Sequence, residues 1–241
     1  MKSFTINTRT RSNLFALTLI ALSATLLFTP RAGHTQQLQQ GVSVQMAVTS
    51  TAAPMPEADN QDARIVAVTA DGNLFFGIEP VTPAALADEM KSRPRRRDQK
   101  LYIKADARAP FADVERVLEA ARVVAFEAPI LLTSQPASPA SGTVVPPNGL
   151  EVQIAPALPA GAVATVVQLL NSGQQRPLLR VNGDEISWSA LESTLRRHFQ
   201  KGDENMILLK ADERLPFGQV VQVIDVCRST GAKVFLPTPE F

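Results

Sequence analysis

The sequence predicts an α/β (α+β) protein: an N-terminal hydrophobic helix, then two tandem small domains, each a mixed β-sheet with two helices on one face in the order ββαβαβ. Three observations predict it. The chain repeats itself: LYIKADARAPF at 101–111 returns as ILLKADERLPF at 207–217, with six identities in the eight positions from Lys104 to Phe111 and a spacing of 210 − 104 = 106. Within each copy, short β-branched runs alternate with stretches of helical period, the pattern of parallel strands joined by helical crossovers. Between the copies runs an uncharged Pro-, Ser- and Ala-rich stretch that resists folding.

The 241 residues, 45% of them hydrophobic, supply enough apolar surface for one large core or two small ones. Lys and Arg number 24 against 23 Asp and Glu, yet residues 1–56 hold only Lys2, Arg9, Arg11 and Arg31 and no acid, so the body of the chain is weakly acidic. With one Trp, one Tyr and scattered basic residues, that body lacks the electrostatic footprint of a nucleic-acid binder. Cys227 is the single cysteine, which excludes an intramolecular disulfide, and no Cys/His cluster has metal-ligand spacing.

Residues 1–33 read as a targeting segment or a single membrane anchor. Lys2, Arg9 and Arg11 precede the uncharged run Leu14–Phe28, which Thr29-Pro30-Arg31 ends. As a helix that run reaches about 22 Å, short of the roughly 30 Å hydrocarbon core and matching a signal peptide's apolar region. No clean small-x-small cleavage site follows, and Asn13 and Thr29 extend the span, so retention and cleavage both stay open. The basic flank predicts a cytoplasmic N-terminus, with everything after residue 34 outside the cytoplasmic membrane.

Residues 34–63 form a linker with an extra strand at Val42–Val48, and the first domain follows at 64–136. There Arg64–Ala70 is strand-like, Asp71-Gly72 is a hairpin signal, and Leu74–Ile78 returns. Thr82-Pro83 caps a helix through about Lys91. Leu101–Ala105 is a strand, Pro110 opens a helix with Phe111, Val114, Val117, Leu118 and Ala121 on one face, and Ile130–Thr133 closes the unit. Residues 137–149 form the Pro-rich linker.

The second domain, 150–241, repeats the scheme. Leu150–Ile154 stands where Val42–Val48 stands in the first copy, Pro177–Val181 is the first strand, and Asn182-Gly183 is the turn, aligned with Asp71-Gly72. On that alignment the first copy carries about five extra residues. A short return at Glu185–Ser187 leads to a helix bearing Trp188, Leu191, Leu195 and Phe199. Strand Met206–Lys210, a helix with Phe217, Val220, Val221, Ile224 and Cys227, and strand Lys233–Leu236 complete it.

These segments resemble the ExbD/TolR family of biopolymer transport proteins, components of proton-driven complexes of bacterial inner membranes. VSVQMAV, VTADGNLFFGIEPVT, LYIKADARAPFADVERVLEAAR and ILLT follow the family's exported domain in the first copy; VNGDEIS, ILLKADERLPFGQVVQVIDVCRSTGA and KVFLPT follow it in the second. The likeness covers about residues 42–238. It implies a non-enzymatic part of an envelope energy-transduction complex, anchored in the inner membrane by one N-terminal helix with its bulk in the periplasm. It also implies an ExbB/TolQ-like membrane subunit and a TonB/TolA-like transducer as partners, and domains that pair, within the chain as a pseudo-dimer or between chains as a homodimer. The family's membrane helix carries a proton-relaying Asp, whereas nothing titratable lies between Leu14 and Phe28 here. The chain is therefore expected not to carry protons itself. The other reading is a cleaved, soluble periplasmic binding module that keeps the fold without the motor.

No nucleophile, base or metal set points to catalysis, and no cofactor is expected. The repeat-motif positions Lys104, Asp106, Pro110 and Phe111, with Lys210, Asp212, Pro216 and Phe217, read as structural: each Asp ends a strand before a loop, where its carboxylate accepts backbone N–H bonds. Lys104, Arg108, Lys210 and Arg214 read as a solvated rim. Partner binding is assigned to extended segments able to add a strand to a sheet edge, at Val42, Val44 and Met46 and at Val152 and Ile154.

Overall fold

A computed structural model of the chain describes residues 41–94, 96, 99–134, 146–154, 163–199 and 205–238. The expected N-terminal helix and most of the Pro-rich linker lie outside these residues.

The first sheet is built from β1 (Ala53–Pro54), β2 (Arg64–Val68), β3 (Leu74–Phe76), β4 (Glu79–Val81), β5 (Leu101–Ala105), β6 (Ile130–Thr133) and β7 (Asn148–Glu151), with helices α1 (Pro83–Ser92) and α2 (Phe111–Val123) in the crossovers. Its strand order is β1-β7-β6-β5-β2-β3-β4. β2, β5 and β6 are mutually parallel neighbours, whereas β3 and β4 return antiparallel. The second sheet comprises β8 (Gln153–Ile154), β9 (Thr165–Leu170), β10 (Leu178–Val181), β11 (Asp184–Ile186), β12 (Met206–Ala211) and β13 (Lys233–Leu236), with α3 (Leu191–Phe199) and α4 (Phe217–Ser229). Its order is β11-β10-β9-β12-β13-β8.

Strand alternation decides what each face covers. Val66, Val68, Leu101, Ile103 and Ala105 turn toward Leu86, Met90, Val114, Val117 and Leu118 of α1 and α2, so both helices lie on one face of the first sheet. Val167, Leu169, Ile207 and Leu209 meet Leu191, Leu195, Val220 and Ile224 in the same way in the second. These residues form one cluster that runs through both sheets. On the opposite face of the first sheet, Tyr102, Ile130 and Leu132 are covered by Met46, Met55 and the 3-10 turn Pro56–Asp59. The corresponding face of the second sheet, with Val166, Leu208 and Phe235, is half-buried.

α1 starts where Thr82 accepts the Ala85 amide at 3.3 Å and Pro83 occupies the first turn. Its last carbonyls are taken by buried Arg64, whose guanidinium donates to the carbonyl oxygens of Met90, Arg93 and Pro94.

The α/β class with two helices on each sheet stands, but the element order gains a strand in each half. In the first, Gly77-Ile78 is a second turn that ends the expected return Leu74–Ile78 at Phe76 and leads into the additional edge strand β4, whose Pro80 is tolerated at an edge. In the second, β9 is the additional strand, lying between β10 and β12. It is the β-branched run that ends at Leu170, before Asn171-Ser172-Gly173.

The turn alignment is corrected accordingly. Val68 pairs with Ala105 and Leu169 with Ala211, so β9 corresponds to β2. Asp71-Gly72 joins β2 to β3, whereas Asn182-Gly183, both at positive φ, joins β10 to β11. The intervals are 105 − 68 = 37 and 211 − 169 = 42 residues, which places the five extra residues in the second half instead of the first.

Candidate functional site

Backbone pairing joins the halves in two places, the first of them built from repeated sequence. The first is a seam between the motif loops. Pro110 and Pro216 form an antiparallel bridge. Phe111 N–H donates to Leu215 O at 2.8 Å and Ala112 N–H to Glu213 O at 2.9 Å. Shifted by the repeat spacing, Phe217 N–H donates to Ala109 O and Gly218 N–H to Ala107 O, both at 2.8 Å. A helix leaves its first amides without partners inside the helix, and neither proline offers a capping side chain. Each half thus caps the other's helix with loop carbonyls. Phe111 and Phe217, both buried, anchor the helices immediately behind the seam.

Asp106 and Asp212 shape those loops. Asp106 Oδ1 accepts the Arg108 backbone amide at 3.0 Å and its Nε at 2.8 Å, while Oδ2 accepts the Gln45 amide at 3.0 Å. The Arg108 guanidinium holds the Asp106 carboxyl far below the usual carboxylate range; burial opposes this, and the Gln45 and Arg108 amides reinforce it. Asp212 binds Arg214 in the same geometry and is likewise lowered, first by the Arg214 side chain. Arg108 and Arg214 are exposed on the rim, as is Lys210, but Lys104 is half-buried. It lines a cavity of about 190 Å³ with Val42, Met46, Asp59 and Leu132. Burial lowers the Lys104 pKa against the pull of Asp59.

The second feature is a shared strand. β7 runs antiparallel to β6, from Thr133 opposite Asn148 to Ile130 opposite Glu151, and two residues later β8 runs parallel to β13 through Gln153 and Ile154. Val152 lies between them, fully buried, with its amide on Pro129 O, and Ile154 donates to Glu127 O. One stretch of chain therefore belongs to both sheets. Val152 and Ile154 are buried inside the molecule.

The Val42–Val48 strand is corrected. This segment makes one bridge, Val48 with Ser134, and forms no strand of either sheet. It is held instead by Ser134 N–H on Ala47 O and by Ala107 N–H on Gln45 O. Val44 and Met46 are half-buried, and Met46 packs behind β6.

Three contacts were not legible as a site. Gln45 docks on the motif loop; its only signal was the Val-Gln pair shared by 44–45 and 152–153. Asp225 on α4 accepts the Ser50 and Thr51 amides at 2.7 and 2.8 Å, tying the segment before the first sheet to the second half. Glu213 reaches α2 across the seam. Cys227 is buried and its thiol is pushed up to about 12 by burial, so it packs as a small apolar residue.

The family model for the biopolymer transport protein ExbD/TolR matches residues 13–136 and matches again over residues 129–238. The chain belongs to the ExbD/TolR family. Two matches in tandem agree with the two sheets, and the first takes in the hydrophobic run Leu14–Phe28. No curated protein and no solved structure matches the chain. Members of this ExbD/TolR family are membrane-anchored, non-enzymatic transport components with a periplasmic domain. Among the described residues no helix is long and apolar enough to cross a membrane, and no group of three or more His, Cys, Asp or Glu is placed to hold a metal ion.

Proposed function

We propose that this chain is a non-enzymatic component of an envelope energy-transduction complex, held at the inner membrane by Leu14–Phe28 and working through its two paired exported domains by contact with other polypeptides. The observation that carries this reading is the double match to a biopolymer transport family in a chain whose two halves cap each other reciprocally. The pairing in cis takes the place of a homodimer of single domains, with the shared strand around Val152 as its hinge pin. Its partners are a multispanning ExbB/TolQ-like subunit and a TonB/TolA-like transducer. The absence of any titratable residue between Leu14 and Phe28 argues that this chain transmits work without relaying the proton.

Purification of the full chain from native membranes under mild detergent tests the reading. Recovery of a multispanning ExbB/TolQ-like subunit with the chain supports it, and repeated recovery of the chain alone overturns it.

A further inference from the structure

A groove of about 520 Å³ lies between α1 and α2, floored by Ala84, Ala87, Ala112, Ala120 and Val123, the last of which is 50% exposed. Its polar lining is mainly acidic. Glu119 is neutralised by Arg122, whose Nε lies 2.9 Å away, and Arg116 on the same rim is held by Asp113. Glu115 and Glu213 remain: among the described residues neither carboxylate takes part in an ion pair, and burial, then Glu213 across the seam, raises the Glu115 pKa.

The repeat shows that the seam does not need these acids. At the positions 106 residues away, Val221 stands for Glu115 and Ala107 for Glu213. Glu119 has its counterpart in Asp225, and that helix surface is already covered by polypeptide, since the Ser50 and Thr51 amides donate to the Asp225 carboxylate. At Asp225 this surface of the α/β unit is covered by a non-helical stretch of chain; at Glu119 it meets Arg122 and Thr238, and beside it Glu115 and Glu213 stand over an alanine floor.

We propose that the α1–α2 groove docks a cationic, extended polypeptide segment of a partner protein, with a Lys or Arg placed between Glu115 and Glu213 and small apolar side chains on the alanines. A cation there relieves the repulsion of two like charges, and among the described residues no group of three or more acids, His or Cys is placed to hold a metal ion. The alanine floor gives room for a backbone to approach closely. The inference deepens the interaction reading above at a separate surface: recovery of the membrane subunit tests that reading, and peptide affinity tests this one.

The test uses the full-length protein in detergent and a fluorescent peptide of alternating Ala and Arg, followed by anisotropy at about pH 8. The wild type should bind it and ignore an Ala/Glu peptide of equal length. The double variant Glu115→Gln/Glu213→Gln and the groove-filling Ala87→Phe should each weaken binding about tenfold or more, as expected when a paired charge or the floor is lost. Asp184→Asn/Glu185→Gln, which removes exposed acids from β11, should leave binding unchanged. No binding by the wild type, or an equal loss in the β11 variant, overturns the proposal. Self-association that the groove variants abolish would assign the groove to a second copy and also overturn it. Far-UV circular dichroism identifies any variant that fails to fold, and the other groove variant then decides.

Discussion

The amide of Phe111 donates to the carbonyl of Leu215 at 2.8 Å, so the first turn of α2 is completed by the loop of the other half. The reverse bond, Phe217 to Ala109, has the same length. A motif that reads in one copy as a strand-loop-helix junction is, in the folded chain, a reciprocal cap. The consequence is that small changes in these loops act on both halves together.

Gly218 lies tight against Ala107 in the seam. A Cβ there would lie 3.0 Å from the Ala107 Cβ and 3.1 Å from the Ala107 carbonyl oxygen. Gly218→Val should therefore destabilise the protein by about 1–3 kcal/mol through overpacking, lowering Tm by roughly 2–10 °C in thermal unfolding. An unchanged Tm would show that the loops part freely.

Asp106 contributes in one pH window. Its folded pKa lies well below the unfolded value of about 3.9, so the stabilisation is complete above that value and fades as pH falls below it toward the folded pKa. Asp106→Asn should cost about 1–3 kcal/mol at neutral pH, because the Gln45 amide and the Arg108 guanidinium lose the charged acceptor of a buried carboxylate. Urea titrations at neutral pH and at about pH 3 should show the two proteins converging in the acid.

Glu115 has the opposite sign. Burial and then Glu213 raise its pKa to about 7, above the unfolded carboxyl near 4.3. Stability from this group is present at low pH and is lost as pH rises from about 4 through 7. The charged groups around it are Glu213 across the seam, the Arg116–Asp113 pair and the Glu119–Arg122 pair. Glu115→Gln should raise stability at pH 8 by on the order of 1 kcal/mol after solvent screening and flatten the slope between pH 4 and 7. Chemical denaturation across that range measures it.

Val152 is packed between the two sheets with no exposed surface. Val152→Ala should cost about 1–3 kcal/mol through lost burial and the cavity left behind. Hydrogen exchange distinguishes a shared strand from a local one: protection should fall at both Ile130–Thr133 and Lys233–Leu236. Loss on one side alone would contradict the shared-strand arrangement.

Much of the site was legible because the signals were local. Asp106 and Asp212 sit in loops where a carboxylate binds backbone amides, and Phe111 and Phe217 begin amphipathic helices whose apolar face must be buried. Less legible were Gln45, Asp225 and Glu213, polar residues whose partners lie 61, 174 and about 100 positions away. β9 escaped because the Asn182-Gly183 turn is the stronger hairpin signal and draws the pairing to the next two strands, past Asn171-Ser172-Gly173, and β4 because a three-residue edge strand containing Pro80 scarcely differs from a loop.

By itself the sequence determined the repeat, the α/β class, the helices with their buried faces and the absence of a titratable group in the hydrophobic run, since each follows from residue identity and short-range period. Tertiary structure alone decided that Asn148–Ile154 joins both sheets, that Val42–Val48 binds residues just past the ends of β5 and β6 instead of forming a strand, and that Glu115 and Glu213 line one groove. A backbone hydrogen bond or a carboxylate pair depends on which distant segment of chain packs beside an edge or a helix. That competition is settled by packing of the whole core, which no local stretch of residues records.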